Sequence, residues 1–291
     1  MAKAHRVHTT ASHNRRADGA IEGVGRIRLH YRTWEAANAR AGIILVHGLG
    51  EHTGRYDEFG QRMNGFGFSV YAMDLRGHGL SEGRRGHTPS FDTLLQDLDR
   101  FRKEVQGIAD VRLPLFLLGH SLGGLVALRY QQEYNTCFGG AVVVSPWVAT
   151  AMDVPRWKAT IAGAFSRTLP ALPFSNGINP AFISHDPDVV AAYRADPLVH
   201  DRITPRLFAE SSHAMGLVFQ RADRFDDPIL FLLAGDDRIV DTRRTMTLAR
   251  GIPSGEVTIK TYPGMFHEVL NERDRMLVYR DIRNWMAHRI T

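Results

Sequence analysis

Residues 113–134, LPLFLLGHSLGGLVALRYQQEY, pass from an apolar strand-like run into a helix-like one, with one hydroxyl at the junction. A serine in that position ordinarily caps the helix, its oxygen accepting a backbone N–H of the first turn. A cap does not require glycine two residues to either side, yet Gly119-His120-Ser121-Leu122-Gly123 has both. Such glycines let strand and helix close on a strained turn that lifts the serine oxygen clear of both elements. Leu115 to Leu118 read as a buried strand, and Leu125, Leu128 and Tyr130 follow at helical spacing. Ser121 is therefore read as a nucleophile ahead of a cap.

A strand–turn–helix unit belongs in a layered α/β domain, and the remaining chain repeats that rhythm. GRIRLHYRTW (25–34) alternates polar and apolar residues as a half-exposed strand does, and GIILVHGLG (42–50) is a continuous apolar run ending in glycine. Helix-like and strand-like segments then alternate as far as GAVVVSPW, which predicts an α/β fold with a mostly parallel central sheet flanked by helices. From Trp147 to Asp227 the rhythm is lost, and seven of the thirteen prolines fall there. It returns with PILFLLAGDDRIVD (228–241) and closes on the amphipathic RDRMLVYRDIRNWMAHRI. The expected organisation is a core of 21–146 and 228–291 interrupted by a mainly helical cap of 147–227. Within the cap, Trp157, Ile161, Phe165 and Leu169 share one helical face. Core packing is the ordinary use of such a face. An insertion at the catalytic edge of the sheet would also overhang Ser121 and shelter an apolar substrate, as a lid does.

Charge separates the ends of the chain. Residues 1–32 carry seven basic residues against two acidic ones, which accounts for the whole net charge of +5 and leaves the body neutral. This pattern reads residues 1–20 as a basic, disordered leader and argues against a nucleic-acid face, with attraction to anionic lipid as a minor reading. His5, His8 and His13 in the leader lack the spacing of a metal site. No apolar run reaches the roughly 18 residues of a membrane span, and the N-terminal stretch lacks the apolar centre of a signal peptide. The expected location is the cytoplasm, with peripheral membrane contact as the alternative. Cys137, the single cysteine, cannot form an internal disulfide and reads as a buried spectator.

A serine of ordinary acidity needs a base, and the base needs an acid to orient it. In the arrangement that uses a strand-to-helix elbow the order is serine, acid, histidine. His267 follows the late strand in the turn Tyr262-Pro263-Gly264-Met265-Phe266, and Asp236 and Asp237 end the strand-like ILFLLAG. Either aspartate reaches the catalytic edge, and Asp237 is narrowly preferred. The oxyanion of acyl transfer needs N–H donors, expected from Leu122, after the nucleophile, and Leu49, in the glycine turn His47-Gly48-Leu49-Gly50. Other motifs fail: His267-Glu268 has Asn271 where a zinc protease needs its second histidine, and no lysine-bearing phosphate loop occurs. MDLRGHGLSEG (73–83) reads as a glycine-rich turn shaping the site wall.

VHGLGEHTGRY (46–56), MDLRGHGLSEG, GHSLGG (119–124), DPLVHDR (196–202), AGDDRIVD (234–241) and YPGMFHEVLNE (262–272) together resemble the monoacylglycerol lipase and lysophospholipase branch of the serine α/β-hydrolases. The resemblance implies the α/β-hydrolase fold, hydrolysis of lipid monoesters without metal or cofactor, and a cap forming an acyl tunnel. It places the nucleophile on Ser121, the base on His267 and the oxyanion donors on Leu49 and Leu122. Its Asp-Arg-x-x-Asp pattern falls on Asp237 to Asp241 and selects Asp237 over Asp236. The implied reaction releases fatty acid and glycerol from a monoacylglycerol. A lysophospholipase or general carboxylesterase is the alternative, and a non-catalytic ligand-binding relative a more distant one. The implied partner is a small lipid ester, and the cap is a candidate for transient contact with a membrane or micelle surface.

Overall fold

Six-residue strands with scarcely a polar side chain are stable only where both faces of a sheet are covered. The computed structural model, which describes residues 15–109, 113–134, 138–151, 165–253 and 256–290, contains several. In chain order the strands are β1 (Arg15–Glu22), β2 (Arg28–Glu35), β3 (Ala41–Val46), β4 (Phe68–Met73), β5 (Leu115–His120), β6 (Ala141–Val144), β7 (Phe174–Ser175), β8 (Arg202–Ile203), β9 (Ile229–Ala234) and β10 (Val257–Tyr262). The α-helices described are α1 (Asp57–Gly65), α2 (Phe91–Ile108), α3 (Leu122–Glu133), α4 (Pro187–Ala195), α5 (Pro205–Gln220), α6 (Thr242–Arg250) and α7 (Arg275–Ala287).

The main sheet has eight strands in the order β1-β2-β4-β3-β5-β6-β9-β10. β1 and β2 pair antiparallel, as do β2 and β4, and every later pairing is parallel. Alternation along β3 sorts its side chains between two cores. Ile44 and Val46 join the cluster that contains Leu98 of α2 and Leu125 of α3. Ile43 and Leu45 join the other, with Phe59 of α1 and Ile282 of α7. Each buried Leu or Ile of this kind contributes about 1.5–3 kcal/mol relative to exposure, and the period-2 pattern leaves the register little freedom.

Two boundaries differ from expectation. The leader expected through residue 20 is a strand from Arg15 onward: β1 pairs along its full length with β2, from Arg15 opposite Glu35 to Glu22 opposite Arg28. Its charge is locally matched, since Arg32 reaches Asp18 at 2.7 Å and Arg16 reaches Asp57 at 3.2 Å. Exposed pairs of this sort add only about 0.2–1 kcal/mol each, so the backbone ladder and Ile21, packed on the core, carry the strand.

The segment between β6 and β9 is not all cap. α5 packs into the cluster of α2 and α3 through Leu207, Ala214 and Val218, and Gln132 Nε2 of α3 donates to the carbonyls of Val218 (3.0 Å) and Arg221 (2.8 Å). Several prolines that broke the rhythm are helix starts. Pro187 and Pro205 stand just inside α4 and α5, behind the capping side chains of Asp186 and Thr204. β7 and β8 form a separate two-stranded antiparallel ribbon. Phe165 is half-buried and Leu169 exposed; Trp157 and Ile161, like Cys137 and the histidines of the leader, lie outside the described residues. No helix among the described residues is long and apolar enough to cross a membrane.

Candidate active site

Ser121 stands at the N-cap position of α3, but its side chain makes no capping hydrogen bond. The hydroxyls of Ser90 and Thr204 and the carboxylates of Asp186 and Asp241 do cap their helices. Instead Ser121 is held at φ +52°, ψ −115°, a left-handed conformation that costs a non-glycine residue on the order of 1–3 kcal/mol. Backbone bonds fix it there: Ser121 N–H donates to Val144 O (3.0 Å), and Ser121 O accepts from Leu125 N and Trp147 N (3.1 and 2.9 Å). The flanking glycines do what the sequence asks of them. A Cβ on Gly119 would meet Gly123 O at 2.2 Å, and one on Gly123 would meet Val46 O at 2.1 Å.

The loops after β9 and β10 carry the candidate acid and base. His267 Nδ1 donates to Asp237 Oδ2 at 2.8 Å, while Oδ1 accepts the N–H groups of Ile239 and Val240, both at 2.9 Å. Asp236 is exposed and paired with Arg238 at 3.2 Å, so of the two aspartates Asp237 is the one bonded to His267. Burial opposes the charge on Asp237, but the His267 ring and the two N–H groups outweigh it and hold the carboxyl below its ordinary value. Burial also opposes protonation of His267; Asp237, with Glu268 and Glu51 behind it, overcomes that and raises the imidazole above the usual histidine value. The His267 ring lies 4.9 Å, centroid to centroid, from that of His120, the residue before Ser121. Asp237 and His267 are thus bonded and set beside the elbow, and no hydrogen bond joins Ser121 to His267 among the described residues.

Leu122 is the first residue of α3, so its N–H is one of those a helix leaves without an internal partner. Leu49 lies in the turn after β3, between Gly48, whose N–H donates to Glu51 Oε1 at 2.6 Å, and Gly50, at φ +79°. A Cβ on Gly48 would lie 3.2 Å from that of Ser121, which brings this turn against the candidate nucleophile.

A family model described as serine aminopeptidase, S33 matches residues 37–274. The monoacylglycerol lipase of Mycolicibacterium smegmatis is 33% identical over 280 residues, covering 94% of this chain and 97% of that protein. The chain belongs to the monoacylglycerol lipase family of serine α/β-hydrolases. The monoglyceride lipase of Rattus norvegicus is 31% identical over 267 residues, with 90% of this chain and 88% of the relative covered. Among solved structures, the monoacylglycerol lipase of Paleococcus ferrophilus superposes with a TM-score of 0.82 at 34% identity, over 90% of this chain and 99% of that one.

Around the catalytic edge of this family member runs a buried charged network that sequence reading did not single out. Glu51 accepts from Gly48 N, from Tyr56 OH (2.9 Å), from His120 Nδ1 (3.0 Å) and from Arg55 Nη1 (2.8 Å). Arg55 in turn grips Glu268 with two bonds of 2.8 and 2.7 Å and lies over the Tyr193 ring of the cap at 4.7 Å. Burial alone would raise Glu51; the His120 bond and the Arg55 charge hold it well below the carboxylate range. The turn that holds Leu49, the neighbour of His267 and Tyr193 are therefore tied to one guanidinium. Glu51 and Arg55 stand four apart within VHGLGEHTGRY, but nothing in that stretch points to Glu268, 213 residues away from Arg55.

Removing one partner of a buried charge network leaves the others uncompensated. Arg55→Met should lower unfolding stability by about 3–5 kcal/mol, a loss read from urea denaturation. A change within experimental scatter would show that the network is only incidental to folding. Within MDLRGHGLSEG, Asp74 is buried and accepts from Thr53 N, Leu80 N and His30 Nδ1 at 2.7, 2.8 and 3.1 Å, which fixes this glycine-rich turn in place.

Proposed function

We propose that the protein is a serine esterase that hydrolyses monoacylglycerols to fatty acid and glycerol through an acyl-enzyme. The observation that carries this reading is the strained Ser121, free of any capping role, beside a buried Asp237–His267 pair. His267 Nε2 takes the Ser121 proton as Oγ attacks the ester carbonyl, and the Leu49 and Leu122 N–H groups receive the oxyanion. The imidazolium then gives that proton to the departing glycerol oxygen. Water, deprotonated by the same nitrogen, attacks the acyl-enzyme carbonyl, and the fatty acid leaves as the Ser121 hydroxyl is restored. Asp237 holds the tautomer throughout. Catalytic hydrogen bonds often tighten only when substrate is bound, and the serine-to-histidine bond is assigned to that state.

The substrate class rests on the relatives named above, each a lipase of monoacylglycerol or monoglyceride. The medium or long acyl chain is assigned to the cap, whose exposed Leu169, Leu172 and Phe174 are the candidates for brief contact with a membrane or micelle. A panel of monoacylglycerol, lysophospholipid and nitrophenyl esters, with glycerol release as readout, tests this directly. Monoacylglycerol should be turned over fastest. Preference for lysophospholipid would move the reading to the alternative headgroup.

A further inference from the structure

The catalytic histidine is flanked by backbone groups that the sheet does not hold. Phe266 N–H, on one side of His267, donates to Glu272 Oε1 at 2.8 Å. Glu268 N–H, on the other, donates to Ile183 O at 2.8 Å, a carbonyl of the cap. The same cap arm grips Glu272: His185 Nδ1 donates to Oε1 at 2.8 Å and His185 N–H to Oε2 at 3.1 Å. Ser184 Oγ donates to Asn271 O at 2.9 Å. Rings reinforce the contact. The His185 ring stacks on Phe266 at 3.6 Å, Phe182 meets Phe266 edge-on at 6.4 Å, and the Arg238 guanidinium lies 4.9 Å from the Phe266 ring and 5.1 Å from that of Phe182. Arg238 follows Asp237, so acid, base and cap meet at one aromatic cluster.

Glu272 is nearly fully buried, and a buried carboxylate needs its lone pairs occupied. Oε2 is held by the His185 and Arg273 N–H groups (3.1 and 3.3 Å) and by Ser184 Oγ (3.4 Å). Without the His185 ring donor, Oε1 would keep only the Phe266 N–H, and the carboxylate could rotate about its anchored Oε2. Phe266 would follow, and with it the imidazole one residue on. We propose that His185 is a positioning residue for the reaction: through Glu272 and the Phe266 ring it fixes the direction of the His267 imidazole, so that the base is aligned only while this cap arm is seated. The proposal rests on His267 being the base.

His185 is half exposed, so its truncation leaves the fold in place. A short soluble ester such as nitrophenyl butyrate isolates alignment of the base from capture of an acyl chain. With it, His185→Ala should lower kcat about tenfold while KM stays within about twofold, since misplacement of a catalytic group acts on the transition state. His185→Asn, which can still donate to Glu272, should recover most of that loss; His185→Phe, which keeps only the ring, should not. Glu272→Gln provides a second route to the same loss. Unchanged kcat in His185→Ala, or a loss in which KM alone rises, overturns the proposal. His267→Ala belongs in the same series. Turnover surviving there removes the base assignment and this proposal together, whereas lost turnover there with normal kcat in His185→Ala removes the proposal alone.

Discussion

Ser121→Ala should reduce ester turnover by about 10⁴-fold or more, because nothing else at the elbow can form the acyl-enzyme. The variant should fold normally: the residue's hydrogen bonds are all made by its backbone, and Ala at φ +52° bears the same strain as Ser. Ser121→Gly sharpens the test. Glycine adopts positive φ without the Cβ clash, so this variant should be equally inactive yet more stable than the wild type by about 1 kcal/mol, read from urea or thermal unfolding. An inactive protein more stable than its parent is the signature of strain retained for chemistry. If Ser121→Gly is instead destabilised, the left-handed turn carries no stored cost, and the junction serine loses much of its special character. Substantial turnover in Ser121→Ala would remove it as the nucleophile.

The elbow was legible because its requirements are local. Gly119 and Gly123 lie within two residues of Ser121, and the close approach of Gly119 to Gly123 O lies within the turn itself, whereas that of Gly123 is to Val46 O of β3. The same holds for β3, β5, β6 and β9, whose short apolar runs flanked by glycine or proline match buried parallel strands. What sequence reading missed depends on tertiary neighbours. β1 looked like a charged tail because Arg15 and Arg16 adjoin the basic leader, and only pairing with β2 supplies its ladder and the partners of its charges. α5 was folded into the cap because prolines masked the pattern, although a proline behind a capping Thr204 is a helix start. At the site, residue order gives Asp237 only a narrow preference over Asp236, which the Asp-Arg-x-x-Asp resemblance supports, and Asp237 is the one bonded to His267. Glu51, Arg55, Glu268 and Glu272 are ordinary charged residues in one dimension. They gain meaning only when burial removes water from them, and burial of a charged residue is what its identity argues against.

Asp237→Asn is the variant that tests the relay most severely. Asn can still accept from Ile239 and Val240, so the loop should keep its shape. It cannot, however, offer the negative charge that holds the imidazole's tautomer and stabilises its cation, and kcat should fall by about 10⁴-fold. The pH profile gives an independent reading. The raised value of His267 means that in the wild type the base form is gained, and kcat/KM rises, above the pH at which an ordinary histidine loses its proton. Removing Asp237 takes away the principal cause of that elevation while burial remains, so the residual acid limb should move to lower pH. Stability follows the same pair. The contribution from His267 is complete below its unfolded value and is lost as pH rises through the folded one; that from Asp237 is complete above its unfolded value and is lost as pH falls through the folded one. The wild type should therefore exceed Asp237→Asn in unfolding stability most clearly between the ordinary aspartate and histidine values, and the gap should narrow on either side. A constant gap across that range, or an acid limb that stays where it was, would mean that the carboxylate 2.8 Å from His267 does not govern its proton.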